Sequence, residues 1–182
     1  HRLDKDTSGA LVIARTLTAH AALVRQLQAR TVSRIYQALA RGEIDAPGRV
    51  DAPIGRHPAD RKRMAVVRSG RGAVTHYRVL QRYTGFTLLE VSLETGRTHQ
   101  IRVHLSHLGH PLVGDPVYAR RVKRAEVPDH VLESVRAFPR QALHAWRLSF
   151  RHPCSGEPVA FEAPVPADLA GLLGRLAEVR RD

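Results

Sequence analysis

The chain opens with His1-Arg2-Leu3-Asp4-Lys5-Asp6-Thr7-Ser8-Gly9, and the apolar run Ala10-Leu11-Val12-Ile13-Ala14 follows directly. The first stretch combines two carboxylates, two hydroxyl groups and a glycine, which is typical of a turn. The apolar residues after it predict a buried strand over residues 10–15. Because a rigid element holds the polar groups next to it in place, this loop is the first candidate for a functional site.

The composition indicates a polyanionic partner. The 182 residues include 29 Lys and Arg against 17 Asp and Glu, which gives a net charge of +12 and a pI near 11.2. This excess favours nucleic acid before a membrane surface, since no long amphipathic basic helix is visible. No apolar run approaches the roughly 20 residues that span a bilayer, and the single cysteine, Cys154, favours a reducing compartment. We therefore expect one cytoplasmic, monomeric domain that binds RNA.

Hydrophobic periodicity predicts strands that arrive in runs, with a few helices between them. This order is typical of an α+β fold with a mixed, largely antiparallel sheet and flanking helices. Helices are predicted over residues 17–30, with Thr16 or Thr18 as the cap, and over 131–137 and 167–179. Strands are predicted over residues 32–40, 74–82, 86–93, 143–150 and 158–163, and residues 42–55 are predicted to form a connection.

One further helix follows the strand that ends at residue 93. Thr98 is its predicted N-cap, and Ile101, Leu105 and Leu108 have the spacing of a buried stripe. Arg102 lies off that stripe, so the pattern allows either a solvated charge or a site residue.

Two metal-dependent interpretations of the opening loop are weak. Asp4, Asp6, Ser8 and Gly9 fit the first half of an EF-hand, but Arg15 stands where the loop requires a bidentate glutamate. Asp4-Lys5-Asp6-Thr7 also resembles the aspartate-nucleophile loop of haloacid dehalogenase-type phosphatases, in which the first aspartate accepts a phosphoryl group. That chemistry needs a downstream pair of carboxylates for magnesium. Gly114-Asp115 contains only one carboxylate, so the pair is incomplete.

Histidines cluster around the helix that contains Arg102, at His99, His104, His107 and His110. A metal site would need a carboxylate or cysteine beside them, and the nearby arginines would repel a cation. We therefore expect no bound metal.

Three long blocks favour a different function. The opening stretch, then Arg34-Ile35-Tyr36-Gln37-Ala38, then Gly96-Arg97-Thr98-His99-Gln100-Ile101-Arg102-Val103-His104 resemble, in this order, the signature blocks of RluA-type RNA pseudouridine synthases. Further similarity runs through residues 108–115, 141–145 and 161–164, and so covers nearly the whole chain. Residues 73–78 and the long third block are most similar to the RluD branch, which modifies large-subunit ribosomal RNA.

The resemblance implies a pseudouridine synthase fold, no organic cofactor and three catalytic residues. Asp4 would be the catalytic carboxylate, Tyr36 the active-site tyrosine and Arg102 the arginine paired with the aspartate, whereas Asp6 is not carried over. A carboxylate is ionised at neutral pH and can form a transient covalent bond. Attack at C1′, attack at C6 and a glycal route all stay open. Tyr36 alone, by residue type, would equally suit an ordinary core position.

RNA binding is predicted for the arginine-rich segments. A uridine that leaves its stack costs a few kcal/mol, which contacts to phosphates can offset. We expect the loop 56–63, with Arg61 and Arg63, and the segment 120–124 to hold RNA from two sides. Arg2, Arg97 and His99 are expected nearer the reactive nucleotide. The alternative is a basic RNA-binding module without activity.

The resemblance implies that this sequence begins inside the catalytic domain. A chain that starts at His1 would lack both the strands that precede the aspartate block in the family and the small N-terminal RNA-binding domain of many relatives. We therefore expect residues 1–182 to form a single, N-terminally truncated catalytic domain whose sheet has an unpaired edge.

Overall fold

A computed structural model of the chain describes residues 1–119 and 128–179. Over these residues the fold has nine strands and four helices. The strands are β1 (Ser8–Gly9), β2 (Ser33–Arg41), β3 (Gly48–Asp51), β4 (Ile54–Arg56), β5 (Met64–Val66), β6 (Val74–Tyr83), β7 (Phe86–Leu93), β8 (Leu143–Arg151) and β9 (Pro158–Glu162). The helices are α1 (Leu17–Gln28), α2 (Gln100–His107), α3 (Asp129–Ala137) and α4 (Ala167–Glu178).

Seven strands form one mixed sheet. Their order is β1-β8-β2-β7-β6-β3, and β9 pairs with the outer edge of β8. The pair β1 and β8 is parallel and the other pairs are antiparallel. The predicted α+β class with a largely antiparallel sheet is therefore confirmed, as are the strands predicted over residues 74–82 and 86–93, which pair as β6 and β7.

Side chains of the central strands alternate between the two faces of the sheet, and both faces are buried. Leu39 of β2 packs with α3 and α4 in one apolar cluster. Its neighbours Ala38 and Ala40 join Tyr36 in a second cluster with Ile101 and Leu105 of α2. The sheet thus lies between α3 and α4 on one face and α2 on the other, and Tyr36 belongs to the cluster on the α2 side.

The prediction of a strand over residues 10–15 is wrong. Only Ser8–Gly9 forms a strand, although the backbone N–H of Ala10 still donates to Ala145 at 2.9 Å. Beyond that point β9 pairs with residues 147–151 of β8, so the edge that residues 10–15 would need is occupied. Val12 and Ala14 pack against an apolar cluster while Leu11 and Ile13 are exposed.

Two other sequence expectations need correction. Residues 42–55 contain strand β3 and the start of β4, because Gly48 to Asp51 pair with β6 despite their poor strand propensity. Leu108 is 39 % exposed, so it is outside the buried stripe of α2. The helix ends before it, at His107, and Gly109 follows with a φ of 85°.

The remaining elements are confirmed to within about two residues at each end. Thr16 is the N-cap of α1, and its side chain accepts from the backbone N–H of Ala19 at 3.2 Å. Asp168 lies in the first turn of α4, as the helix dipole favours.

Candidate active site

The opening loop is fixed by Gln141, the residue two positions before β8. The backbone N–H of Thr7 donates to the carbonyl oxygen of Asp4 at 3.0 Å, which closes a turn. Gln141 is buried, and its Nε2 donates to the carbonyl oxygen of Lys5 at 2.6 Å and to the hydroxyl of Thr7 at 3.0 Å. One amide side chain therefore sets the path of the loop just after Asp4.

A second contact ties the same loop to α4. Arg140 forms a bidentate ion pair with Asp168, at 2.7 Å and 2.9 Å, and its Nη1 donates to the carbonyl oxygen of Asp6 at 3.2 Å. Asp6 is exposed and has a φ of 66°, a conformation that aspartate tolerates better than most residues. Asp6 thus contributes its backbone to the turn.

The loop and Tyr36 meet on either side of Ala145. Ala145 pairs with Gly9 of β1 on one edge of β8 and with Tyr36 of β2 on the other. Gly9 has a φ of 115°, and a Cβ there would lie 2.2 Å from the Ala145 carbonyl oxygen, so only glycine fits. A register shift in β8 at Trp146 occurs beside Tyr36, and such irregularities often adjust the direction of a site residue.

Arg102 brings the third predicted residue to Asp4. Its Nη1 lies 3.3 Å from Oδ2 of Asp4. Its bidentate partner, however, is Asp115, through Nε to Oδ2 at 2.7 Å and Nη2 to Oδ1 at 3.0 Å. The side chains of Arg102 and Asp115 are 5 % and 0 % exposed, so Arg102 is a buried cation rather than a solvated helix charge.

The charges of this ion pair are mutually stabilised. Burial alone would raise the pKa of Asp115, but the hydrogen bonds and charge of Arg102, with backbone N–H groups of Val117 and Tyr118, lower it. Burial opposes the charge of Arg102 too, and the two carboxylates outweigh it and raise the pKa of the guanidinium. Arg102 therefore stays charged and faces Asp4 in a fixed orientation.

Tyr36 presents a protonated phenol next to the carboxylate. It is 6 % exposed, and its pKa is raised, first by burial and then by the charge of Asp4, while Arg34 opposes the rise. Its ring is held by the sheet between β7 and β8. The side chain is at once a core tyrosine and a wall of the cavity described below.

Tyr118 covers the ion pair. The Arg102 guanidinium lies 5.1 Å from its ring centroid, and the Arg63 guanidinium lies 5.4 Å from it. The Tyr118 hydroxyl accepts from the backbone N–H of Met64 at 3.1 Å and lies 2.9 Å from Nδ1 of His99. Burial lowers the pKa of His99, with Arg102 adding to the effect and Asp4 opposing it, so the ring is neutral at pH 7. We call Asp4, Arg102, Asp115, Tyr118 and His99 the interior network.

The start of α2 differs from the prediction. Thr98 is not the N-cap; that position belongs to His99, which has a φ of 56° and makes no side-chain cap. Instead Oε1 of Gln100 accepts from the backbone N–H of Arg97 at 2.9 Å and from the hydroxyl of Thr95 at 2.7 Å. The Gln100 side chain therefore fixes the turn of residues 95–97 that leads into α2.

Asp4 and Tyr36 line one cavity of about 520 Å³, which lies between α1, β2 and the start of α2. Apolar side chains of Val24, Leu27 and Leu143 form part of its wall. Four arginines also line it, and we call them the arginine rim: Arg2, Arg30, Arg34 and Arg97. A pocket that combines an apolar wall with a few polar groups suits a planar, uncharged ring.

The predicted RNA-binding residues fall into two groups. Arg2, Arg97 and His99 line the same cavity as Asp4, and their contact with a nucleotide stays a prediction. Arg61 and Arg63 belong to the hairpin of β4 and β5, and Arg61 is exposed whereas Arg63 is half-buried against Tyr118. The second predicted segment, residues 120–124, lies outside the described residues.

Sequence reasoning missed the residues that hold the site together. Asp115 and Tyr118 lie far from Asp4 in the chain, and no sequence pattern indicated a partner for Asp115, although it ends one of the similar stretches. The signal available in the sequence is the glycine directly before it: Gly114 has a φ of 69°, and a Cβ there would lie 2.0 Å from the Arg140 carbonyl oxygen, so the position requires glycine. A glycine with that need marks a tight approach of two loops.

Residues 1–119 and 128–179 contain neither a metal-ligand cluster nor a membrane-spanning helix. Within these ranges no three histidine, cysteine or acidic side chains come together as a metal site. No helix in the same ranges has the length and apolar character to cross a bilayer.

Comparison with known families gives a consistent result. The family model described as RNA pseudouridylate synthase matches residues 1–107. The ribosomal large subunit pseudouridine synthase D of Pseudomonas aeruginosa is 55 % identical over 181 residues, which are 99 % of this chain and 57 % of that protein. Its counterpart from Nitrosomonas europaea is 58 % identical over 173 residues, which are 95 % and 49 % of the two chains. The chain thus spans about half the length of these relatives.

Two solved structures share the fold. Human RNA pseudouridylate synthase domain containing 1 has a TM-score of 0.74 and 32 % identity, and the match covers 91 % of this chain and 68 % of that one. Human RNA pseudouridylate synthase domain containing 4 has a TM-score of 0.77 and 28 % identity, with coverage of 97 % and 74 %.

Proposed function

The chain belongs to the RNA pseudouridylate synthase family, in the branch of the ribosomal large subunit pseudouridine synthases D. From this membership we propose that it isomerises uridine in RNA to pseudouridine. The observation that carries the proposal is the placement of Asp4 and Tyr36 in one cavity. Arg102 donates a hydrogen bond to the Asp4 carboxylate. By similarity to its relatives, we propose large-subunit ribosomal RNA as the substrate.

The reaction needs no redox partner, because uridine and pseudouridine are isomers. The N1–C1′ bond breaks, the base turns within the cavity, and a C5–C1′ bond forms. The proton that leaves C5 is balanced by the proton that N1 gains. The enzyme must therefore stabilise the separated base and ribose and move one proton.

Asp4 is proposed as the group that acts on the reacting nucleotide. Its carboxylate faces the cavity and is 16 % exposed, so a base that enters can displace the remaining water. An anionic oxygen there can form a transient covalent bond or stabilise developing positive charge on the sugar. Arg102 holds this carboxylate by one N–H while Asp115 fixes the arginine, which keeps the geometry ready before RNA arrives.

Tyr36 is proposed to stack on the uracil ring and to take part in the proton transfer. An aromatic face at the cavity wall replaces the stacking that a flipped base loses in RNA. Because its pKa is raised by burial, the phenol carries its proton at neutral pH and can donate it.

The test is release of tritium from RNA labelled at C5 of uridine, since that hydrogen leaves only when C5 bonds to C1′. The probe is an unmodified large-subunit ribosomal RNA transcript, and product is checked by chromatography of the nucleosides. We expect Asp4→Asn to lower the turnover rate by about 1,000-fold or more while RNA affinity changes by less than about twofold.

Asp6→Asn is the matched control. It makes the same change two residues away, at an exposed side chain in a conformation that asparagine also accepts, so activity should stay within about twofold of the parent. A parent protein that binds the transcript without releasing tritium would instead indicate a binding module.

We also propose that residues 1–182 act as one catalytic domain, as a monomer in the cytoplasm.

A further inference from the structure

Arg34 is a half-buried cation that the described residues leave without a carboxylate partner. Its Nη2 donates to the carbonyl oxygen of Thr95 at 3.3 Å. Its Nε is fully buried and has no hydrogen-bond acceptor among residues 1–119 and 128–179. A buried N–H of a charged group without a partner is costly, and among the described residues the Nε atoms of Arg41 and Arg63 share this condition. Arg34 differs from both because it lines the cavity that holds Asp4, where a ligand can compensate its charge.

The position of Arg34 places that charge in the cavity. Arg34 and Tyr36 both line it, and they lie two residues apart on strand β2. Residues at this spacing are about 6.6 Å apart along one face of a strand. Gly96 makes room for the side chain, because a Cβ there would lie 2.7 Å from Nη1 of Arg34.

The two carboxylates that line the cavity, Asp4 and Glu94, are already engaged. Asp4 is bonded to Arg102, and Glu94 accepts from His76 at 2.6 Å and from Arg30 at 3.3 Å. Neither carboxylate is therefore free to neutralise Arg34. Burial lowers the pKa of Arg34, which is the expected response of a cation that lacks a counter-charge.

We propose that Arg34 binds the phosphodiester group of the nucleotide whose base stacks on Tyr36, and so positions that nucleotide against Asp4. A guanidinium suits this role because its planar fork of N–H donors matches phosphate oxygens. The spacing along β2 corresponds to the reach from a base through its ribose to its phosphate. This inference rests on the proposed function and assigns one further residue to it.

The experiment measures binding of the unmodified large-subunit ribosomal RNA transcript as a function of salt concentration. Each phosphate contact contributes about 0.7 to 0.9 to the slope of log K against log salt. We expect Arg34→Gln to lower the slope by that amount and to raise Kd about tenfold at physiological salt. Arg34→Lys keeps the charge and should restore most of the slope.

Kinetics separate this role from a structural one. In the tritium-release assay, Arg34→Gln should raise KM about tenfold and change kcat by less than about threefold. The control is Arg147→Gln, which removes the same charge from an exposed arginine paired with Glu162 on the sheet edge. Its slope and KM should match those of the parent.

Four outcomes are distinguishable. An active parent with a reduced slope in Arg34→Gln and recovery in Arg34→Lys supports both proposals. Suppose that the parent is active, but Arg34→Gln leaves the slope unchanged or Arg34→Lys does not restore it. That result overturns the phosphate contact and leaves the proposed function intact. A reduced slope with an inactive parent overturns the function and leaves the contact. A parent that neither binds nor reacts overturns both.

Discussion

The interior network and the arginine rim differ in how their positive charge is compensated. In the interior, Arg102 is paired by Asp115 and Asp4, and the side chains of Arg102 and Asp115 are at most 5 % exposed. In the rim, four arginines share a wall with Glu94 and the already paired Asp4, and Arg34 has no carboxylate partner among the described residues. The two regions are adjacent, since both border the loop that carries Asp4.

The difference separates two physical tasks. Paired, buried charges hold a reacting group in one geometry, because moving either partner would leave an uncompensated charge in a dry site. Cations left unpaired at the mouth of a cavity instead attract a polyanion and are neutralised when it binds. We therefore expect changes in the interior to affect stability and turnover, and changes in the rim or the hairpin to affect RNA affinity.

Among residues that do not contact the reacting nucleotide, the largest expected effect is that of Asp115→Asn. Loss of this carboxylate leaves Arg102 buried and half-paired, so the free energy of unfolding should fall by about 3 kcal/mol. Turnover should fall about 100-fold, because Arg102 no longer has a fixed position behind Asp4. Urea unfolding and tritium release are the measurements.

Glu162→Gln is the matched control for that variant. It breaks the Arg147 ion pair on an exposed edge, where the solvent screens the charges, and should leave stability and turnover essentially unchanged. If Asp115→Asn behaved like this control, the interior would be no more specialised than the surface.

Acid should remove the contribution of the same ion pair. Because the pKa of Asp115 in the folded state is lowered, its stabilising effect is present above the ordinary aspartate value of about 3.9 and is lost as pH falls through the lower folded value. The difference in unfolding free energy between parent and Asp115→Asn should be constant from about pH 7 to 5 and should narrow below about pH 4. A gap that stays constant at every acid pH would contradict a charged pair.

A smaller effect is expected in the hairpin of β4 and β5. Arg61→Glu should raise the Kd for the transcript about tenfold and reduce its salt dependence, with no change in stability, since Arg61 is exposed. Arg63→Glu should also lower the melting temperature, because Arg63 packs on the Tyr118 ring. Unchanged affinity and salt dependence in both variants would remove the hairpin from the RNA-binding surface.

The smallest expected effect concerns the contact between α4 and the opening loop. Asp168→Asn weakens the hold on Arg140, whose Nη1 supports the carbonyl oxygen of Asp6. Gln141 still holds the loop, so we expect turnover to fall about threefold with little change in KM. Asp129→Asn, in the first turn of the neighbouring helix α3, provides a comparison, and an equal loss of turnover there would contradict a specific role for Asp168.

Local sequence patterns determined most of the secondary structure. Alternating or helical periodicity correctly predicted β2, β6, β7, β8 and β9 and helices α1, α3 and α4. Each places apolar side chains against a neighbouring element, although β9 is largely exposed. The motif blocks also singled out Asp4, Tyr36 and Arg102, which the fold brings to one place. Their roles in catalysis stay a prediction.

Only the tertiary structure decided how strand edges and charges are partnered. Residues 10–15 have a strand pattern, but β9 occupies the edge of β8 that they would need. Residues 48–51 have poor strand propensity, yet they pair with β6. Likewise Arg102 takes Asp115 as its bidentate partner, and Arg34 is left with none among the described residues. Periodicity indicates which face of a segment is buried. Pairing depends instead on which distant groups lie at the same sheet edge or in the same cavity. Those groups become neighbours only in the folded chain, because they are far apart in the sequence.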